Sequence, residues 1–266
     1  MKQTIIQVDA FTKTPFQGNP AAVCVLETPQ STEWMQLIAR EMNLSETAFI
    51  VKQESDFNLR WFTPTTEVPL CGHATLASAH ILWTEGYLKP EEVANFQTLS
   101  GLLKARLQGD WIELDFPANL SEVTTPPPEL VTALDINIKT TAKNSLGYLV
   151  EVESASIVRD LQPNFSLLKT LSVPGVIVTS VGETDSEYDF VSRFFAPELG
   201  VDEDPVTGAA HCCLAPFWRN KLHQDEFMAY QASARGGVVK VKYDGGSRVF
   251  LQGQAVTVMK GELWDK

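Results

Sequence analysis

The sequence predicts an α+β protein built as two similar lobes, and three observations carry that expectation. A pattern of residues recurs half a chain later, the recurring segments alternate like strands around helices of small residues, and a proline-rich stretch separates the copies. Arg60-Trp61-Phe62-Thr63-Pro64 returns as Arg193-Phe194-Phe195-Ala196-Pro197, 133 positions on (193 minus 60). Both runs follow apolar alternation, Phe57-x-Leu59-x-Trp61 and Tyr188-x-Phe190, so each reads as a strand ending at proline. Gly72 with its small-residue helix returns as Gly208, and Gly101-Leu102-Leu103-Lys104 as Gly237-Val238-Val239-Lys240, both at an offset of 136 (208 minus 72). Upstream, Leu44–Val51 parallels Leu171–Val178 at 127 (171 minus 44).

The elements follow in order. Ser31 is placed to cap a helix in which Glu33 suits the first turn and Met35, Ile38 and Met42 share one face. The strand Ala48-Phe49-Ile50-Val51 comes next, then the strand ending at Pro64 and the helix opening at Gly72. Ser121–Glu129, with Pro126-Pro127-Pro128, reads as a linker that joins neither sheet interior nor helix, which divides the chain into lobes over residues 1–122 and 130–260. In the second lobe Ser154–Lys169 reads as a helix broken by Pro163. Strand-rich units around one buried helix predict lobes that face each other, and a cleft between such lobes is the expected place for a ligand.

Composition limits the partners. A hydrophobic fraction of 44% and a charged fraction of 20% over 266 residues are those of a self-sufficient globular chain. With 33 acidic against 21 basic side chains, the formal charge of −12 repels phosphate backbones and anionic membrane surfaces, so neither nucleic acid nor membrane is expected as a partner. An anionic substrate must then be held by local groups. The N-terminus lacks an apolar run of signal-peptide length and His73 and His80 interrupt Leu70–Trp83, so the protein reads as cytoplasmic. Cys24, Cys71, Cys212 and Cys213 do not form a disulfide framework and read as reduced thiols. Cys71-x-His73 and His211-Cys212-Cys213 lack metal-ligand spacing, and no metal site is expected.

Chemistry is expected where the two glycines open helices. At Pro69-Leu70-Cys71-Gly72-His73-Ala74 and again at Pro205-Val206-Thr207-Gly208-Ala209-Ala210, glycine lets a ligand approach the first amides of a helix, a site suited to a carboxylate or a developing enolate. Either glycine alone reads equally as a turn or cap. Two acids break the recurrence: Glu46 stands opposite Val173 at 127, and Asp204 opposite Val68 at 136. Such carboxyls suit a proton-transferring acid/base and an orienting partner, although Glu46 also fits a surface charge and Asp204 a solvated acidic run. His73 reads as a capped histidine or as a donor to substrate, and Cys71 as a small buried side chain or, with a lowered pKa, a nucleophile.

Five ordered segments give the chain a resemblance to the phenazine biosynthesis-like (PhzF-like) family over nearly its whole length. They are Val8–Thr12 running through Phe16-x-Gly18-Asn19-Pro20 to Val23, Leu44-Ser45-Glu46-Thr47-Ala48-Phe49, Arg60–Pro64, Glu67–Thr75, and Glu203–Gly208. The resemblance implies a diaminopimelate-epimerase-like fold of two pseudo-symmetric lobes, each a barrel-like sheet around a central helix, with the active site between them. It also implies an isomerase that moves a proton between carbons of its substrate without metal or cofactor. The family's glutamate, histidine and aspartate fall on Glu46, His73 and Asp204, and a homodimer is the family expectation. Candidate substrate-contacting residues are Asn19, Gly72, Ala74, Thr207, Gly208 and Ala209. Where the family often has serine after Thr-Gly, this chain has Ala209, which removes a hydroxyl contact and keeps the amide.

The leading expectation is therefore a cofactor-independent isomerase acting on a small carboxylate through Glu46. A racemase or epimerase using Cys71 is the alternative within the same fold, disfavoured because Thr207 occupies the place of a second thiol and is too weak an acid. A small-molecule binding protein without turnover is the alternative outside catalysis.

Overall fold

The structure is a computed structural model that describes residues 2–264. It is of the α+β class and divides into two compact units, Met1–Asp115 with Gln252–Lys266, and Phe116–Leu251. The sequence places residues 252–260 with the second lobe, whereas here they join the first.

In the first unit the chain runs β1 (Lys2–Ala10), β2 (Asn19–Leu26), α1 (Thr32–Met42), β3 (Glu46–Lys52), β4 (Phe57–Phe62), β5 (Glu67–Val68), α2 (Gly72–Thr84), β6 (Ala94–Thr98), β7 (Gly101–Gln108) and β8 (Trp111–Pro117). β1 and β2 are antiparallel, β2 and β3 parallel, and β3 and β4 antiparallel. Helix α1 begins as expected, with Ser31 accepting from Trp34 N at 3.2 Å, and seats Met35 with Ile38 and Met42 against Phe49 and Phe62. Helix α2 is different in kind. Nine of its thirteen residues are buried, so it has no polar stripe and must be enclosed, and it packs on β1, β2 and β3. Ala74, Ala77 and Ala79 keep it thin enough for that.

The second unit holds β9 (Glu122–Val123), α3 (Pro128–Leu134), β10 (Thr140–Asn144), β11 (Gly147–Glu151), α4 (Ala155–Asp160), α5 (Phe165–Lys169), β12 (Gly175–Val181), β13 (Phe190–Ala196), β14 (Val201–Asp204), α6 (Gly208–Leu222), β15 (Glu226–Gln231), β16 (Gly237–Tyr243) and β17 (Arg248–Gly253). The break at Pro163 is realised as two short helices, α4 and α5. The proline-rich linker is more structured than expected. Pro128 occupies the first turn of α3, where a missing N–H costs nothing, and Glu122–Val123 pairs with β10. The last strand, β18 (Ala255–Trp264), runs antiparallel to β1, which is why the C-terminus belongs with the first unit. Among the described residues no helix is long and apolar enough to cross a membrane.

The same strand pairings occur in each unit. Parallel β2–β3 and antiparallel β3–β4 are matched by parallel β11–β12 and antiparallel β12–β13, and parallel β4–β6 by parallel β13–β15. Register corrects one sequence-derived equivalence. Thr47 faces Phe62 and Val176 faces Phe195, so with Phe62 and Phe195 133 apart, β3 and β12 are offset by 129 (176 minus 47). Glu46 therefore corresponds to Gly175, not Val173. A Cβ on Gly175 would lie 2.4 Å from the Phe194 ring, so this position carries no side chain.

A two-pronged ion pair closes the β4–β5 and β13–β14 turns. Arg60 donates Nε and Nη2 to Glu67, each at 2.7 Å, and Arg193 donates likewise to Glu203 at 2.7 and 2.8 Å. Arg193 also donates Nη1 to the carbonyls of Val158, Arg159 and Leu161, which the end of α4 leaves without helical partners. Arg193 is buried and Arg60 half-buried. Arg193→Ala should therefore cost about 3–5 kcal/mol by stranding Glu203 and three carbonyls, and Arg60→Ala about 1 kcal/mol. Urea unfolding of the two variants checks this, and equal losses would refute it.

His211, in the first turn of α6, donates Nδ1–H to the Thr207 carbonyl at 2.8 Å. Burial pushes its pKa down from 6.5 to about 4, against a smaller upward pull from that hydrogen bond. Between those pH values the unfolded chain binds the proton and the folded one does not, so stability falls as pH drops from 6.5 to 4. The loss approaches about 1.4 kcal/mol per pH unit. His211→Gln should flatten that part of the profile when unfolding midpoints are measured against pH.

Candidate active site

The starts of β2, β3 and α2 bring four predicted or flanking residues together in the first unit. Asn19 and Glu46 are the first residues of their strands, and Ala21 pairs with Glu46 across them. Cys71 is the N-cap of α2 without a side-chain hydrogen bond to the helix, and His73 follows Gly72 in its first turn. His73 Nε2 lies 3.1 Å from Glu46 Oε2, oblique to a good hydrogen-bond direction. On the other edge of the ring, Nδ1 lies 3.1 Å from Asn19 Nδ2 and 3.5 Å from Cys71 Sγ.

Burial grades across this cluster. Asn19 is fully buried, His73 and Cys71 nearly so, and the Glu46 side chain retains 18% of its exposure. Glu46 is thus the member that reaches outward. Gly18 sets the entry to Asn19: its φ is +66°, and a Cβ there would stand 2.2 Å from the Ala10 carbonyl oxygen, so glycine is required. The buried Asp9 accepts from Phe16 N at 2.7 Å, and Thr12 N donates to Gln254 O at 3.1 Å, which pins the loop before Asn19.

The electrostatics follow from the dry setting. Burial pushes the Cys71 thiol up to about 11, with the Glu46 charge adding to it, so Cys71 is a thiol at neutral pH. Burial alone would lower the His73 pKa; negative charge at Cys71 and Glu46 outweighs it and draws the pKa upward. Since Cys71 is a neutral thiol, Glu46 supplies that pull. The donor atoms of Glu46, Cys71 and His73 lie within 4.8 Å of one another. The carboxyl and the thiol nevertheless meet opposite ring nitrogens, so the three do not converge as a ligand set around one ion.

The second unit assembles Asp204, Thr207 and Gly208. Thr207 donates its hydroxyl to Asp204 Oδ2 at 2.5 Å and is the N-cap residue of α6. Gln231, at the end of β15, ties this turn down. Its Oε1 accepts from Thr207 N at 2.8 Å, and its Nε2 donates to Asp204 O at 2.8 Å and Thr207 Oγ1 at 3.2 Å. Gly208 is buried and Ala209 exposed, while in the first unit Gly72 is half-buried and Ala74 fully buried. Sequence reasoning did not single out Gln231. Its one visible signal is a polar residue closing an apolar strand. A groove of about 420 Å³ in the first unit, lined by Lys2, Trp34, Tyr87 and Lys260 among others, contains none of the predicted site residues.

The chain matches the phenazine biosynthesis-like protein family over residues 8–261. It is 53% identical to an uncharacterized isomerase of Halalkalibacterium halodurans, over 99% of each chain. A crystal structure of a PhzF-family phenazine biosynthesis protein from Enterococcus faecalis superposes with a TM-score of 0.94 at 42% identity, covering 99% of this chain and all of that one. A predicted epimerase from Pseudomonas aeruginosa, at 21% identity and a TM-score of 0.78 over 99% of this chain and 100% of that one, shares the fold. With the glutamate, histidine and aspartate segments all inside the matched span, the chain belongs to the phenazine biosynthesis-like family, as one of its isomerases.

Proposed function

We propose that the protein moves a proton between two carbons of a small carboxylate-bearing substrate, without a cofactor, and that Glu46 carries the proton. The supporting observation is the Glu46 carboxylate itself, reaching out from a cluster in which its neighbours are buried and His73 Nε2 stands 3.1 Å from one of its oxygens. In the forward step a Glu46 oxygen takes the proton from a carbon acidified by the adjacent conjugated carboxylate, and the electron pair moves into the conjugated system. In the return step the Glu46 carboxylic acid gives the same proton to the second carbon, the double bond has shifted, and no net proton is lost. A positioned carboxyl of this kind contributes roughly 10²–10⁴ in rate. The opening amides of α2, at the same end of the first unit as Glu46 and without a side-chain cap from Cys71, suit the charge that builds on the substrate carboxylate.

The family resemblance adds Asp204 to the reaction as an orienting group, and Asp204→Asn should lower turnover while leaving the fold intact. The recurring contacts of the two units are those an internal duplication would leave. A thiol mechanism has less support: Cys71 is held near 11 and its counterpart Thr207 is no thiol.

A panel of unsaturated and amino-acid carboxylates incubated in deuterated water gives the test. Glu46→Gln should abolish deuterium incorporation into the substrate that the natural protein labels, and Cys71→Ala should reduce it only a few-fold. Full retention by Glu46→Gln would sink the proposal, and loss in Cys71→Ala alone would install the thiol mechanism in its place.

A further inference from the structure

We infer that Gln231 is a positioning residue for Asp204: it fixes the turn before α6 so that the one hydroxyl proton of Thr207 is committed to the Asp204 carboxylate. Which way round the Gln231 amide stands is set by two backbone groups. Thr207 N–H can only donate and lies 2.8 Å from Oε1, while the Asp204 carbonyl can only accept and lies 2.8 Å from Nε2. Turning the amide over would set donor against donor and acceptor against acceptor around a fully buried side chain. With Nε2 so fixed, its second proton meets Thr207 Oγ1 at 3.2 Å, and the hydroxyl accepts there. The hydroxyl's own proton goes to Asp204 Oδ2 at 2.5 Å. His211 Nδ1 takes the Thr207 carbonyl at 2.8 Å. Every polar atom of Thr207 therefore has a partner, and two of the partners, Gln231 and His211, are fully buried.

The tie goes with the acid and not with the shared frame. Parallel β4–β6 and β13–β15 align at an offset of 133 (190 minus 57, and 229 minus 96), which sets Thr98 at the place of Gln231. Thr98 donates to the Gly101 carbonyl at 2.7 Å and so closes the β6–β7 turn. Two residues on, Ser100 and Ser233 make the same bond to a proline carbonyl in both units. A long amide thus accompanies Asp204, where the first unit has Thr98 and Val68. The Thr207 hydroxyl, a candidate for touching substrate, is turned to the acid instead. A carboxylate held in one orientation is what an orienting group needs. That consequence rests on the role proposed for Asp204, whereas the order of the hydrogen bonds does not.

A hydroxyl that exchanges slowly with water splits the signal of its own β-carbon in equal volumes of H2O and D2O, so protein made with ¹³Cβ-threonine reads the bond without any substrate. Thr207 is assigned by the signal missing from Thr207→Val. That signal should be split in the natural protein and collapse to one line in Asp204→Ala and in Gln231→Met. Thr75 and Thr179 donate their buried hydroxyls to the Cys71 and Val191 carbonyls and should stay split throughout, which separates a local release from a loosened fold. An unsplit Thr207 in the natural protein, or a split that survives either variant, would overturn the inference. If Gln231→Met does not fold, the Gln231 side-chain amide decides: one of its two protons should shift in Thr207→Val, and two unmoved protons overturn the inference. On a carboxylate that the natural protein labels with deuterium, Gln231→Met should lower kcat about as much as Asp204→Ala, and the double variant no further. Additive losses would mean that Gln231 does not act through Asp204. Glu46→Gln can retain exchange while the Thr207 signal still splits, and the reverse, so the two readings fall separately.

Discussion

An imidazole that is almost out of water has only the protons its neighbours permit, and His73 has a carboxylate on one edge and an amide and a thiol on the other. The carboxylate on one side draws protons in, and the buried Asn19 amide and Cys71 thiol stand against the other. Most of the first unit's local architecture serves to hold those edges in place. Parallel pairing of β2 and β3 brings the starts of both strands to the same end of the sheet, where the buried α2 begins. A glycine forced by the Ala10 carbonyl delivers Asn19 into the interior, and a buried aspartate pins the loop before it. A small displacement of any of these would take the imidazole out of reach of the groups that flank it, which is costly in a dry pocket.

Away from the chemistry, the two units use the same fastenings. Each has an arginine forked onto a glutamate seven or ten residues later, and each has a serine tying down the proline before its helix. Ser100 donates to the Pro69 carbonyl and Ser233 to the Pro205 carbonyl, both at 2.8 Å. Each buried helix also carries a side chain in its first turn that bonds back to the carbonyl four residues earlier, Thr75 to Cys71 and His211 to Thr207. These bonds stop the helix N-terminus from drifting relative to the strand that feeds it. Positional accuracy is what a proton transfer over hydrogen-bond distance requires.

Much of this was legible in residue order. The strand-proline runs, the two helix-opening glycines and the Ser31 cap are local signals, and local signals survive reading without coordinates. Register is less forgiving. Apolar residues on both faces of β3 and β12 gave several plausible alignments, and only the partners across each strand show that Glu46 corresponds to Gly175. The linker misled for another reason, since proline excludes a helix interior but not its first turn. Asn19 was named as a site residue, but its contact with His73 and the part played by Gln231 were hidden, because a buried polar side chain is defined by its partner and both partners are far away in sequence: His73 for Asn19, and the Asp204–Thr207 turn for Gln231.

The corrected register sharpens what separates the two units. Where the first unit has Glu46, the second has a glycine against which the Phe194 ring is packed, so no acid could be accommodated there without displacing the ring. Where the second has Asp204, opposite Phe194 in the ladder, the first has Val68 opposite Trp61. Each carboxyl therefore stands at a position its counterpart fills with an apolar or absent side chain, while the adjacent Arg–Glu forks and Ser–Pro ties are kept. A thiol-pair mechanism needs like groups at like places, and Cys71 against Thr207 fails that condition. A single acid/base with an unlike helper needs the opposite, a symmetric frame carrying unsymmetric groups, and that is how the charges of this chain are distributed.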